Sequence, residues 1–402
     1  MSTHGYWGHT RTLSAIVVLV LLTVSGNHPQ QSAVLSQLPI ELIGGYVRLK
    51  VVVDGSEELD FIFDTGATRT VIDSATAARL GLVATERTRN DGQGPFVERV
   101  VEGATLTLGQ LTLPALNALQ RSNDRMKLNL GVDIDGVIGA DLLRDYVVKI
   151  DYDRMLLTVY DSGNFVYAGK GRRVDIDANA YFSIIGAKIE VGNGEVLAGR
   201  FLIDTGAGLF LALNTPFAND NNLLDRIGAK HLAYTLAAQG VEMTNYPGRV
   251  RRFSLGDYEF DDMPVLLSQT EAGPLSPRAI AGIIGNRVWQ RFNTVYDYSR
   301  DRIYLEPNEF FDDQFQVDCS GLSITSTVER TVVVTRVMDG SPAADVGMLA
   351  GDEITAINER DATSYSLSDI RNMLARDLDT VKLTVKRNGE FIEMFLRLRL
   401  LY

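Results

Sequence analysis

The chain of 402 residues carries 51 Asp and Glu side chains against 39 Lys and Arg, a formal net charge of -12 at pH 7. This acidic balance argues against a nucleic acid partner, and the single cysteine, Cys319, excludes an internal disulfide. A hydrophobic content of 45% is enough for two or three cores, whereas the four His are scattered and offer no metal cluster, so we expect no cofactor.

The chain opens with an apolar run. Residues 1–11 hold one basic side chain and precede the run Leu13–Val24, which small residues at Ser25 and Gly26 follow. The run is shorter than the roughly 20 residues that a spanning helix needs. We therefore predict a signal peptide over residues 1–26, with an uncleaved membrane anchor as the alternative, and a polar linker over 27–38. The protein is then exported, periplasmic or secreted, and contacts a membrane only if this segment is kept.

The tripeptide Asp-Thr-Gly occurs twice, each time after an apolar run and before Ala, in Phe61–Ala67 and in Phe201–Ala207. A single copy is often only a turn, in which Asp caps and Gly takes a positive φ. Two copies in the same apolar frame instead indicate two equivalent carboxylates, Asp64 and Asp204, each at the tip of a buried strand.

Two facing carboxyl groups have a definite chemistry. At a separation of about 3 Å they cannot both ionise, so they share one proton and can hold a water between an acid and a base. Such a pair can hydrolyse a peptide bond without metal, thiol or histidine. Because the pair titrates as one unit, Asp64 and Asp204 receive no separate roles.

The sequence around both motifs repeats. Each half continues with a strand, a Leu-Gly turn and a strand, then with two apolar residues before Gly, then with a strand pair. The matching ranges are 106–111 and 253–258, 137–139 and 283–285, and 146–154 and 292–300. Residues from about 40 to 307 therefore form one β-rich unit that is duplicated.

This pattern resembles the aspartic proteases of the pepsin and retropepsin class. The resemblance implies a mainly β, bilobal fold in a single chain, with lobes over residues 39–175 and 176–311 and with Asp64 and Asp204 as the catalytic dyad. It also implies that Thr65 and Thr205 hydrogen-bond across the lobe junction. Gly66 and Gly206 would lie against the substrate backbone.

The chain departs from that class beside the dyad. Ala67 and Ala207 stand where pepsin-like enzymes usually place a Ser or Thr that stabilises the carboxylate, so we expect a less acidic dyad. Thr68 and Gly208 stand where retropepsins tend to have an Asp that binds substrate backbone. No tyrosine matches the pepsin flap. The flap candidates are the Gly-containing stretches 90–96 and 238–248, with Gly92, Gly94 and Gly240 as the candidate residues.

The pattern changes after residue 312. Gly321 to Ile324 open a strand, a second strand covers Val332–Val337, and a Ser-Pro-Ala-Ala helix start and a Gly-Asp-x-Ile strand follow. A helix is predicted over Leu367–Ala375, with final strands over Val381–Lys386 and Glu390–Leu398.

The segment 312–402 resembles the PDZ domains attached to bacterial exported proteases. Such a domain binds a C-terminal peptide as an added strand, and the resemblance places the carboxylate at the backbone N–H groups of Gly321, Leu322, Ser323 and Ile324. Ser323 stands where many members have a second Gly. The alternative is a PDZ domain that only packs against the protease.

These patterns together predict an exported aspartic endopeptidase that acts on a peptide or protein substrate, with a PDZ domain open to a C-terminal peptide ligand. The alternative is an inactive peptide-binding adaptor on the same scaffold. A missing Asp in either half would favour the adaptor, and both are present.

Overall fold

The computed structural model describes residues 32–90, 95–178, 183–229, 233–236, 242–270, 275–276 and 278–402. The signal peptide or anchor predicted over residues 1–26 lies outside these ranges. No helix of the described ranges is long and apolar enough to cross a membrane.

Lobe 1 is a set of short twisted strands with three small helices. Its strands are β1 Val34–Ile43, β2 Tyr46–Val53, β3 Leu59–Phe63, β4 Val71–Asp73, β5 Ala84–Asn90, β6 Pro95–Leu108, β7 Leu111–Arg121, β8 Gly136–Ile138, β9 Tyr146–Asp151 and β10 Leu156–Asp161. Its helices are α1 Ser74–Arg79, α2 Asp124–Leu130 and α3 Asp141–Asp145.

Lobe 2 repeats the order of the strands but not of the helices. It begins with a strand over Arg172–Ala178, so the lobe boundary predicted between residues 175 and 176 falls inside a strand. Its strands are β11 Arg172–Ala178, β12 Ser183–Glu190, β13 Val196–Asp204, β14 Leu211–Leu213, β15 Ala233–Leu236, β16 Glu242–Leu255, β17 Tyr258–Ser268, β18 Gly282–Gly285, β19 Phe292–Asp297 and β20 Arg302–Pro307. Its helices are α4 Thr215–Asp220, α5 Leu223–Arg226 and α6 Asn286–Trp289, with a 3₁₀ turn at Tyr298–Arg300.

A shared antiparallel sheet joins the two lobes. The pairings run β1, β10, β9, β19, β20, β11, and the β9–β19 pair crosses from one lobe to the other. The two hairpins at its centre are the strand pairs that the repeat predicted after each Ile-Gly segment. Apolar side chains of both lobes form one buried core, in which Phe63 and Tyr296 contact each other across the junction.

The first strand begins inside the segment that was expected to be a linker. β1 starts at Val34 and pairs with β10 and β2, so the linker boundary at residue 38 is wrong. The prediction was wrong because the polar residues of β1 form hydrogen bonds inside the fold. Ser36 is 1% exposed and donates to the carbonyl of Leu108 at 2.5 Å, and the Gln37 amide donates to Thr158.

The C-terminal domain has its own sheet and core. Its strands are β21 Leu322–Ser326, β22 Val332–Val337, β23 Glu353–Ile357, β24 Arg360–Asp361, β25 Thr380–Arg387 and β26 Glu390–Arg397. Its helices are α7 Pro342–Asp345 and α8 Leu367–Leu374, with a 3₁₀ turn at Ala362–Ser364. The sheet order is β21, β22, β23, β25, β26, and the predicted helix and strands appear within two residues of their expected ends.

The boundary between the protease and this domain falls after Val317, not at residue 312. Phe315 meets Phe210 with ring centroids 5.2 Å apart, and Val317 is buried in the protease core. The guanidinium of Arg291 lies 4.4 Å from the Phe315 ring centroid. The local sequence does not mark Phe315 and Val317 as core residues, because polar side chains precede, separate and follow them. The fold as a whole is mainly β, with two protease lobes and a C-terminal PDZ domain, as predicted.

Candidate active site

Each Asp-Thr-Gly loop follows a buried strand, and a third strand pairs with the strands on both sides of the loop. β3 is followed by Asp64, and β8 lies between β3 and β4, parallel to the first and antiparallel to the second. β18 lies in the same way between β13 and β14. The predicted apolar-apolar-Gly segments are therefore the floor of both loops.

Glycine at the end of each floor strand lets the loop approach. A methyl group on Gly139 would lie 2.9 Å from the carbonyl oxygen of Ala67, and one on Gly285 would lie 2.7 Å from that of Ala207. The next residues then hold the loops, since Ala140 N–H donates to the Ala67 carbonyl at 2.7 Å and Asn286 N–H donates to the Ala207 carbonyl at 2.8 Å. The same contacts in both lobes place the two Asp residues as a pair.

The two threonines fix the loops to each other. Thr65 N–H donates to Thr205 Oγ1 at 3.0 Å, and Thr205 N–H donates to Thr65 Oγ1 at 3.1 Å. Each hydroxyl in turn donates to the strand of the opposite lobe, Thr65 to Ile203 O at 2.8 Å and Thr205 to Phe63 O at 2.9 Å. Both threonines are at most 1% exposed. This reciprocal set agrees with the cross-lobe contact that the resemblance implied.

Gly66 and Gly206 bring the carboxylates together. A methyl group on Gly66 would lie 2.6 Å from Asp204 Cγ, and one on Gly206 would lie closer still to Asp64 Cγ. Each glycine therefore faces the carboxylate of the other lobe. This is a reason for glycine that the sequence did not reveal, since the resemblance had implied only a contact with substrate backbone.

The carboxylates lie half-buried between the two lobes, and this burial makes ionisation of both costly. Burial raises the pKa of Asp64, whereas backbone N–H groups of Gly66 and Ala67, at 2.8 and 3.0 Å from its Oδ1, oppose the rise. Burial raises the pKa of Asp204 well above its usual range, and the charge of Asp64 adds to the rise. Asp204 Oδ1 is buried with no hydrogen-bond partner among the described residues. The pair therefore holds one proton over a wide pH range.

The residues after each motif offer only backbone groups. Ala67 contributes its N–H to Asp64, and the N–H groups of Gly206 and Ala207 lower the pKa of Asp204 less than burial raises it. The hydroxyl of a Ser or Thr is missing at both positions. The electrostatics agree with the expectation of a less acidic dyad.

Tyr46 was missed by the sequence reading. It begins β2 in lobe 1, and its ring lies against lobe 2, where a methyl group on Gly208 would be 2.6 Å from Tyr46 Cε2. Burial raises the pKa of Tyr46, hydrogen bonding with the Gly208 backbone offsets part of the rise, and the charges of Asp204 and Asp64 add to it. Gly208, which replaces the Asp of retropepsins, thus makes room for this ring. A single tyrosine between Gly45 and Val47 carries no sequence signal of its own.

The flap candidates Gly92, Gly94 and Gly240 lie outside the described residues. In the described ranges β5 and β6 form a first hairpin, and β15 and β16 form a second. The stem of the first hairpin is tied to the dyad loop, because Arg69 Nη1 lies 3.2 Å from Glu98 Oε2 and Arg89 Nε lies 2.9 Å from the same oxygen.

The residues predicted for the PDZ site open β21, but part of their backbone is already engaged. Gly321 N–H donates to Asp318 at 2.6 Å and Leu322 N–H donates to Ser320 Oγ at 3.1 Å. Ser323 and Ile324 follow at a bulge in the pairing with β22. Gly321 has φ +77°, and a side chain there would strike Ser341. In the described ranges no group of three or more His, Cys, Asp or Glu side chains could hold a metal ion.

Comparison with known proteins identifies two family matches along the chain. Residues 49–142 and 187–288 match the family described as aspartyl protease, and residues 333–387 match the PDZ domain family. Among solved structures, an aspartic proteinase from Irpex lacteus is similar, at 18% identity over 70% of this chain and 99% of that chain, with a TM-score of 0.44. No curated protein matches the chain.

Proposed function

We propose that this chain, which carries two aspartyl protease halves and a C-terminal PDZ domain, is an exported aspartic endopeptidase. Asp64 and Asp204 share one proton and activate one water. The ionised partner takes a proton from the water as it attacks the peptide carbonyl, and the protonated partner gives its proton to the carbonyl oxygen. The tetrahedral species then collapses as the amide nitrogen leaves with a proton.

The single observation that supports this proposal is the reciprocal arrangement of the two loops. Four hydrogen bonds join Thr65 and Thr205 to the opposite lobe, and each motif glycine faces the opposite carboxylate. An arrangement kept only for binding would not need two neighbouring carboxylates, because their burial raises both pKa values and costs stability when both ionise. We propose a peptide in extended form as the substrate of this enzyme. Export is proposed from the apolar N-terminal run.

The first prediction tests the dyad. Asp64→Asn and Asp204→Asn should each lower kcat/KM on a peptide substrate by at least about a thousandfold, and the double variant should be no worse than either. The wild type is incubated with a diverse peptide mixture, with and without an inhibitor that carries a transition-state hydroxyl, and products are identified by mass spectrometry. Asp124→Asn is the matched control, because its side chain is 73% exposed.

Two results would contradict the proposal. Substantial cleavage by either dyad variant would remove the shared-proton mechanism. Absence of cleavage by the folded wild type over the whole peptide mixture would instead favour the inactive peptide-binding adaptor.

A further inference from the structure

The peptide groove of the PDZ domain is occupied by the chain itself. β21 is an edge strand of its sheet, and an added peptide strand would lie between β21 and α8. Residues Asn129–Asp133 of lobe 1, here called the docking segment, lie at this position. A methyl group on Gly131 would be 3.2 Å from Leu367 Cβ on the helix and 3.8 Å from Ser326 Cβ on the strand. Gly131 therefore sits between the two walls of the groove.

Two arginines of the PDZ domain hold the docking segment. Arg371 on α8 donates to the carbonyl of Asn129 at 2.7 Å and to its Oδ1 at 2.9 Å. Arg330 donates to the carbonyl of Gly131 at 3.2 Å and to Asp133 Oδ2 at 2.8 Å. Two of these four bonds go to main-chain carbonyls at the C-terminal end of α2, where Gly131 is the left-handed cap.

Arg371 also engages the strand itself. It donates to the carbonyl of Ile324 on β21 at 2.9 Å, so this main-chain acceptor is not free for an added strand. Arg371 has no acidic partner among the described residues, and burial lowers its pKa to about 10. Arg371 is half-buried, and its guanidinium is held by three oxygens of two domains, which makes this a specific contact.

The loop that precedes β21 is engaged in the same way. The N–H groups of Ser320 and Gly321 donate to the carboxylate of Asp318 at 3.1 and 2.6 Å. The hydroxyl of Ser320 donates to the same carboxylate at 2.6 Å and accepts from Leu322 N–H. An internal carboxylate thus binds N–H groups of the loop in which a ligand's terminal carboxylate was expected.

We propose that the ligand of the PDZ groove is the docking segment Asn129–Asp133 of the same chain. The proposal names the partner of the PDZ domain, and it rests on the proposed function only in taking the groove as able to hold a peptide. The PDZ domain is then an intramolecular docking domain, and a peptide from another molecule binds the groove only when the docking segment leaves it.

The test opens the groove from the lobe 1 side. In Asn129→Ala/Asp133→Ala the PDZ arginines remain, and folding should survive because the Asp133 side chain is 75% exposed. The variant is made in full-length chain that also carries Asp64→Asn, so that the result does not depend on catalysis and the probe is not cut. Asp124→Ala, on the same helix but without a PDZ contact, is the matched control.

The decisive measurement is hydrogen exchange. Amides of β21 and of residues 129–133 should exchange at least about tenfold faster in the double variant than in the parent or the control. A fluorescent peptide with the sequence of residues 127–135 should bind the double variant at least about tenfold more tightly than the parent. Unchanged exchange in β21, or equal measurable binding of the peptide to parent and variant, would overturn the proposal.

Discussion

At the residue scale, the site depends on small side chains at positions where a larger one would separate the carboxylates. Gly66 and Gly206 face the opposite Asp, and Gly208 accommodates the ring of Tyr46. Ala67 and Ala207 stabilise the ionised carboxylates only weakly, because each supplies a backbone N–H but no hydroxyl donor. The absent hydroxyls leave burial as the dominant influence on both pKa values.

The pH dependence of activity follows from this. Catalysis needs one proton on the pair, so it is lost at low pH when both groups are protonated and at high pH when both are ionised. Because both pKa values are raised, the second proton leaves at higher pH, and we expect an optimum at mildly acidic to near-neutral pH. The profile of kcat/KM against pH measures these ionisations in the free enzyme.

Two serine variants test whether the missing hydroxyls at positions 67 and 207 set the pH optimum. Ala67→Ser and Ala207→Ser each add a hydroxyl that can donate to the nearby carboxylate, so each should move the profile to lower pH. An optimum of the wild type confined to strongly acidic conditions would show that other donors replace the missing hydroxyls.

At the element scale, the floor strands and the crossed threonines make the two loops one unit. β8 and β18 each pair with both arms of their loop, and the threonine bonds then join the loops across the lobes. Each buried threonine satisfies two backbone groups of the opposite lobe. Loss of one hydroxyl therefore leaves buried N–H and C=O groups without partners.

The corresponding prediction concerns stability and activity together. Thr65→Val and Thr205→Val should each lower the free energy of unfolding by about 2–4 kcal/mol and reduce kcat more than they raise KM, because the spacing of the carboxylates changes. Thr65→Ser and Thr205→Ser keep the hydroxyl and should restore most of both. Urea unfolding and steady-state kinetics measure the two effects. Thr112→Val, at an exposed position, is the control. If it lost as much unfolding free energy and kcat as the other two variants, the hydrogen bonds of Thr65 and Thr205 would not be the cause.

At the scale of the whole molecule, the contacts of the PDZ domain reach residues next to the second dyad loop. Gly44 has φ +59°, and a methyl group there would lie 3.0 Å from Leu130 Cδ2, at the end of α2 where the docking segment begins. Tyr46, two residues further along, contacts Gly208 of the second dyad loop, and the charge of Arg371 acts on it. A continuous series of contacts therefore joins the PDZ groove to the dyad.

Removal of the PDZ domain tests its effect on activity. The truncation should fall after Val317, because Phe315 and Val317 belong to the protease core while the PDZ core is separate. We expect the shortened chain to fold and to cut short peptides at a rate within about threefold of the full chain, since the dyad contacts none of the deleted residues directly.

Protein substrates should be cut faster by the truncated chain. Without the PDZ domain the residues next to the dyad loops are open to a large substrate, and in the full chain the occupied PDZ groove does not bind substrate. Rates on a labelled unfolded protein, with a short peptide as reference, measure this difference. A slower rate on the protein alone would show recruitment instead.

Local patterns in the sequence were enough to predict the duplicated β fold and the dyad. Two copies of Asp-Thr-Gly in one apolar frame, with the repeated Leu-Gly turns and Ile-Gly segments, carried that prediction, whereas the PDZ domain was predicted from a resemblance to its family. The duplicated patterns succeed because alternation of apolar residues and turn chemistry act over a few neighbouring residues, and because each of them occurs twice.

Only the tertiary structure decided which surfaces meet. The role of Tyr46, the mutual approach of Gly66 and Gly206 to the opposite carboxylates, and the place of Ser36 in β1 depend on partners 70 or more residues away. The occupation of the PDZ groove likewise joins Arg371 to Asn129, 242 positions apart. Such contacts follow from the packing of whole lobes, and the residues that make them are ordinary polar or small side chains whose local sequence favours no partner.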